Sequence, residues 1–337
     1  MHMDWFEALT GFREADYAST RARLAVDGQQ LVVPDGRRYG IGELELVSLG
    51  ELRERARRHP VPGRLRLRIV DGEARHMHRQ PQYHGALFQV ASQFNLLEMT
   101  SPDVTPEDGV SRYERDPTQG PACAIAAGAA TVYRNYLVPV GGQSGQTRDR
   151  QLDGLADLGA ALAGAIGTPV STLLTMRNGY ALCSEHGLDL VGRHLRMLDE
   201  PGRDALRSRL RIGAHWQIDV TDRTKPPYPK VSQAFCAALP VAYSGIATPR
   251  WELFARLVLE AAYEATLLAA ALHRARGGTN VAVLTRVGGG AFGNDPCWID
   301  DAIARAVELA RGFDVEVHLV SRGGPSPATV ALARAYS

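Results

Sequence analysis

One segment constrains the fold of this chain more than any other. Val281-Ala282-Val283-Leu284-Thr285-Arg286-Val287 is mostly apolar and runs into Gly288-Gly289-Gly290-Ala291-Phe292-Gly293-Asn294. A short apolar run bounded by turn residues reads as a buried strand. The glycines that end it let the backbone take positive φ and let a ligand approach with no Cβ in the way. Pro296 then precedes a helical pattern over 298–311 and an apolar strand pattern over 314–320. Strand, glycine turn, helix and strand in succession belong to a sheet covered by helices. Free N–H groups in such a turn, next to a helix start, form an anion site. Gly288, Gly289, Gly290, Ala291, Phe292, Gly293 and Asn294 are therefore candidate ligand-binding residues.

Three readings of this turn compete. Gly288-x-Gly290-x-x-Gly293 matches the dinucleotide fingerprint G-x-G-x-x-G, which would make the chain an NAD-dependent enzyme. A dinucleotide fold places that turn first and follows it with several βα units. Here one helix and one strand remain, so chain position argues against it. The second reading is a purely structural tight turn. The third, and favoured, is a diphosphate loop near the end of the sheet.

The rest of the chain supplies the sheet. An apolar run at 86–92 reads as a buried strand, and 211–220 and 234–243 read as further strands. Helical patterns occupy 49–58, 151–166 and 250–274, the last two with an apolar stripe. Arg177-Asn178-Gly179 predicts a hairpin within 171–183. Residues 98–119 form a long polar stretch, and loops of that length in a compact domain are often functional. Gly120-Pro121-Ala122-Cys123 then starts a small-residue helix. Short strands at 29–33 and 43–47 and the alternating Arg64-Leu65-Arg66-Leu67-Arg68-Ile69 precede all of this. The expected organisation is an N-terminal extension, 1–85, packed on a core spanning 86–337.

Composition sets limits. With 337 residues, 45% hydrophobic and 22% charged, the chain has ordinary globular character. A net charge of +1 gives no general attraction for nucleic acid. The sign is local, however: nine arginines lie between Arg53 and Arg79, either a solvated face or a track for phosphates. Lys225 and Lys230 are the only lysines, which limits any lysine-based mechanism. No run approaches the roughly 20 apolar residues that span a bilayer. Met1 to Phe6 lacks the pattern of a secretory signal. Cys123, Cys183, Cys236 and Cys297 form no C-x-x-C pair and read as reduced thiols, so a cytoplasmic location is expected. His76, His78, His84 and His215 lack ligand-like spacing with Cys or acids, so no metal is expected.

Gly290-Ala291-Phe292-Gly293 resembles the G-[VI]-[YF]-G loop of macrodomains, which likewise follows an apolar strand and precedes a helix and a last strand. Phe88-Gln89-Val90-Ala91-Ser92-Gln93-Phe94-Asn95 resembles the family strand that ends in an asparagine near the distal ribose. Gln119-Gly120-Pro121-Ala122 stands where macrodomains open a helix with a glycine-rich first loop. The resemblance covers roughly 86–320 and implies a mixed sheet in a three-layer α/β/α arrangement, with extra N-terminal strands. It adds Gln89, Ser92, Asn95, Gln119, Gly120, Pro121 and Ala122 to the ADP-ribose-binding candidates. Arg286-Val287-Gly288-Gly289-Gly290 is also similar to the R-[IV]-G-x-G turn of the branch with terminal ADP-ribose glycohydrolase and the antitoxins that strip ADP-ribose from DNA. Where that branch can carry a lysine and an aspartate, this chain has Tyr243 or Ser244 and Phe292. A covalent lysine route is therefore not expected.

The implied activity is an ADP-ribosyl hydrolase acting on modified protein or DNA, with ADP-ribose as ligand or product and no cofactor. The alternative is a non-catalytic ADP-ribose reader. Cleavage at the anomeric carbon passes through an oxocarbenium-like transition state and needs a positioned water and charge stabilisation. Asn95, Glu98 and Gln119 are the candidate catalytic residues.

Overall fold

The strand Leu87–Ala91 sets the architecture, because it is buried on both faces. Phe88 packs among Met77, Tyr83, Ala127 and Ala130 on one side. Leu87 joins the larger cluster around the helix Glu252–Ala275 on the other. A strand of this kind belongs inside a sheet with helices on both faces. The computed structural model describes residues 3–321 and 323–337 and has that arrangement. Met1 and His2, part of the N-terminal expectation, lie outside the described residues.

Seven strands form the sheet: β1 (Glu43–Ser48), β2 (Arg66–Val70), β3 (Leu87–Ala91), β4 (Arg211–Asp219), β5 (Lys230–Cys236), β6 (Val281–Leu284) and β7 (Glu316–Val320). Their spatial order is β1-β4-β5-β3-β6-β7-β2. The pairs from β5 across to β2 are parallel. β4 runs antiparallel to both β5 and β1. The helices used below are α1 (Trp5–Thr10), α2 (Leu49–Arg58), α3 (Gln119–Ala126), α4 (Gly128–Tyr136), α5 (Glu252–Ala275), α6 (Pro296–Ala310) and α7 (Pro327–Ala335). α2, α5 and α6 cover one face, and α3 and α4 the other. This is the mixed, three-layer sheet expected from the sequence.

Local signals explain several boundaries. Ser48 and Glu51 form a reciprocal capping box at the start of α2. The hairpin Leu174–Arg177/Tyr180–Cys183 turns on Asn178 and Gly179, at φ 47° and 79°. Other boundaries differ from expectation. The predicted strand at 234–243 is β5, Lys230–Cys236, after which the chain leaves the sheet. The predicted helix at 151–166 begins only at Ala156, because Asp153 accepts the Leu155 N–H and holds a turn there. α7 was not expected at all.

The first 85 residues contribute directly to the main sheet. β1 and β2, from the first 85 residues, are the two edges of the main sheet. α1 and its neighbours place Trp5, Phe6 and Phe12 in one cluster with Leu97, Tyr113 and Tyr180. The N-terminal residues are thus part of the core.

Candidate active site

In an open α/β sheet, ligands sit beyond the carboxyl ends of the strands where the connections diverge. β3 lies between β5 and β6, and the chain passes from one side of it to the other. A cavity opens at this point, floored by residues that follow β3, β5 and β6. One wall is the glycine loop, and the other comprises Glu98, Asp116 and the start of α3.

The glycines of the loop have different jobs. Gly288 has φ +81°, and a Cβ there would lie 2.6 Å from the Ala238 Cβ. Gly293 has φ +69°, with the Ala242 Cβ at 2.7 Å. These two are required by the backbone itself. Gly290 faces open space, with nothing within 4 Å of a Cβ. Asn294 staples the loop: its Nδ2 donates to Leu239 O at 2.9 Å, and its N–H to Gly288 O at 2.9 Å. Among the described residues, no partner takes the N–H of Gly290, Ala291 or Phe292. Consecutive free N–H groups of this kind form a cradle for an anion.

Of the predicted loop contacts, Gly288, Gly290, Ala291 and Phe292 line the cavity. Gly293 and Asn294 do not, since both turn inward to hold the loop. Gly289 lines a second cavity, at the ends of β2, β6 and β7. Gln119, Thr285, Arg286 and Gly290 line both.

On the opposite wall, Ser92, Glu98, Gln119, Gly120 and Pro121 line the cavity as predicted. Gly120 packs so closely that a Cβ would strike Ala91 O and Glu98 Oε2. Glu98 is the chemically distinctive group. It is 3% exposed, and its Oε1 has no hydrogen-bond partner among the described residues. Burial pushes its carboxyl well above the usual range, the Arg134 charge opposes this, and the Asp116 charge adds to it. Arg134 is fully buried, donating to Leu96 O at 3.1 Å and Thr131 Oγ1 at 3.0 Å, and stacks over Phe235. Burial lowers its guanidinium to about 10, which leaves it protonated at neutral pH.

On this wall three predicted contacts do not reach the cavity, and one has its side chain committed elsewhere. Gln89 points to the α5 face, donating to Thr266 Oγ1 at 3.0 Å and accepting from the Thr285 N–H at 3.2 Å. Asn95 accepts the Leu97 N–H and donates to Gln151 Oε1, so it locks the turn that delivers Glu98. Ala122 lies in the first turn of α3, outside the cavity lining. Gln119 spends its amide on β3. Its Oε1 accepts the Ala91 N–H, and its Nε2 donates to Gln89 O and Cys123 Sγ. These bonds brace α3 against the strand.

Sequence reasoning missed three contributors. Arg286 lines both cavities and is held by Asp300 and by Pro296 O at 3.1 Å. A charged residue between a buried strand and a glycine turn was the available signal. Tyr180 and Tyr243 pack with Phe292 as an aromatic wall, with ring centroids 5.1–5.5 Å apart. Nothing in their local sequence marks them, because the hairpin and the segment after β5 meet only in three dimensions.

The remaining polar clusters resolve into structure. His78 is buried, bonded to Ala74 O and Gln233, and burial lowers it to about 4. His215 is buried between Arg134 and Ile41 O. Among the described residues no three His, Cys, Asp or Glu side chains group to hold a metal ion, and no helix is long and apolar enough to cross a membrane. Most of the arginine-rich segment has acidic partners: Arg53 with Asp204 and Glu264, Arg55 with Glu45, Arg66 and Arg68 with Glu316, Arg75 with Asp222. That favours the solvated-face explanation.

No family model matches the chain, and no curated protein does. Solved structures do match. Poly(ADP-ribose) glycohydrolase from Thermomonospora curvata is 16% identical over 91% of this chain and 93% of that one, with TM-score 0.45. The same protein bound to the inhibitor ADP-HPD is 16% identical over 95% and 98%, also at 0.45. Poly(ADP-ribose) glycohydrolase from Deinococcus radiodurans in complex with ADP-ribose is 13% identical over 96% and 98%, at 0.44. At these values the likeness carries no weight for activity, and the functional conclusion stands on the cavity.

Proposed function

We propose that this protein binds ADP-ribose and hydrolyses an ADP-ribosyl bond to a modified protein or DNA. The observation that carries this is the pairing of the unpartnered N–H groups of Gly290, Ala291 and Phe292 with a buried, unpartnered carboxyl at Glu98 in one cavity. A diphosphate fits the first feature, and a reacting centre needing a proton fits the second. The N-terminus of α3 faces the same space and adds favourable potential for an anion. The second cavity shares the glycine loop with the first. A long ligand with a central diphosphate can therefore extend both ways from Gly290. The macrodomain resemblance in the sequence agrees with this placement.

Two measurements test the proposal. Calorimetry should show ADP-ribose binding that Gly290→Glu abolishes, because the new carboxylate enters the anion cradle while the fold has room for it. Free ADP-ribose should appear when the protein meets ADP-ribosylated protein or ADP-ribosylated DNA. Unchanged affinity in Gly290→Glu would remove the phosphate-loop assignment. Binding without release from either substrate would leave the reader alternative, which the presence of Phe292 in place of an aspartate favours.

A further inference from the structure

Asp116 lines the same cavity as Glu98, yet the proposed activity has so far left it without a role. Its position is fixed. It precedes Pro117, which disfavours a helical backbone, and Asp116 is extended at φ −107° and ψ 112°. Its N–H donates to Tyr113 O at 3.1 Å. Its Oδ1 accepts the Thr118 N–H at 2.9 Å, while its Oδ2 takes no hydrogen bond among the described residues. Tyr113 is also the residue whose hydroxyl accepts the Glu98 N–H. One short segment thus orients both carboxyl groups toward one space. Their environments differ: Glu98 is 3% exposed, and Asp116 is half-buried. Two carboxyls in unlike environments at one site can divide acid and base roles between them.

Resting on the proposed hydrolase reading, we propose that Asp116 is a second catalytic residue: the base that takes a proton from the attacking water, on the same wall as Glu98, the acid that protonates the leaving group. In this step the water oxygen bonds to the anomeric carbon. The bond from that carbon to the leaving group breaks, with its electron pair going to the leaving atom. Glu98 gives that atom a proton, and Asp116 receives one from the water. Exchange with solvent restores both carboxyl groups, and one water is consumed. The buried carboxyl of Glu98 suits the acid, since burial favours its protonated form. Arg134 and Asp116 are the charged groups that act on it, and its own charge acts on the neighbouring Tyr113, Cys123 and Tyr180.

Asp116→Asn is the discriminating variant, because the amide oxygen can still accept the Thr118 N–H. Release of ADP-ribose should fall about 100-fold or more, with calorimetric affinity for ADP-ribose within about threefold of wild type. The alkaline-side limb of the pH–rate profile should vanish in Glu98→Gln. Formate should restore part of the activity of Asp116→Ala, which a merely structural role would not allow. Full activity in Asp116→Asn, or no rescue of Asp116→Ala by formate, overturns the assignment. Wild-type protein that binds ADP-ribose but releases none from either substrate removes the hydrolase reading and this role with it. Absence of ADP-ribose binding removes the phosphate loop itself.

Discussion

The two walls of the cavity are built on opposite principles. The glycine loop is almost wholly backbone: Gly288 and Gly293 are held by close packing, Asn294 staples the ends, and the middle N–H groups stay free. The wall opposite is made of side chains, with a buried Glu98 and a half-buried Asp116. A cradle of fixed N–H groups is suited to holding a charge that does not change during reaction. Carboxyl groups in unlike environments are suited to moving protons. The comparison separates binding from chemistry by position.

The largest effect should come from the side-chain wall. Glu98→Gln should lower hydrolysis by about 10²–10⁴-fold, measured as ADP-ribose release at saturating substrate, with binding retained. The same variant has a stability signature. The folded protein holds the Glu98 carboxyl above its unfolded value. Its contribution is therefore fully present below about pH 4 and is lost as pH rises toward the folded value. Glu98→Gln should melt higher than wild type at pH 8 and lose that advantage in acid, as thermal scans at both pH values will show. A loss of binding in this variant would blur the division between the walls.

The next effect belongs to the loop. Gly290→Glu should weaken ADP-ribose by about 100-fold or more through like-charge repulsion, at an unchanged melting temperature. Gly288→Ala should do the reverse in kind, destabilising the fold by about 1–3 kcal/mol in urea titrations, since a Cβ there is both strained and crowded. Equal stability losses in the two variants would contradict the separate jobs of these glycines.

The smallest effect probes what supports the side-chain wall. Glu14 accepts the N–H groups of Val110 and Ser111 and the Tyr136 hydroxyl, tying the N-terminal segment to the 98–119 loop. Glu14→Ala should speed hydrogen exchange at Val110 and Ser111 by about fivefold, equivalent to about 1 kcal/mol. The glycine loop should exchange as before. Faster exchange in both walls would show that they are not mechanically separate.

Much of this division was legible in the sequence, and the limits have physical causes. The glycine loop is local, so strand, turn and helix start can be read within some 15 residues. Glu98 could be picked out because it follows the end of β3 by a few residues. Gln89 could not be placed, because which face of a two-sided buried strand meets the ligand depends on α5. Tyr180 and Tyr243 were missed because they come from separate loops. The bonds of Gln119 to the β3 backbone were not legible, since they exist only once α3 has docked. That β1 and β2 join the main sheet was not legible, because short edge strands carry weak patterns and are defined by their partners.

β2 pairs with β7 in register from Arg66 opposite Glu316 to Val70 opposite Val320. This strand thus waits for a partner 250 residues further along the chain. Contacts of such long sequence separation slow folding and leave a strand edge open meanwhile. The alternating Arg64, Arg66 and Arg68 give that waiting edge a charged face, the device by which strands resist pairing with other chains.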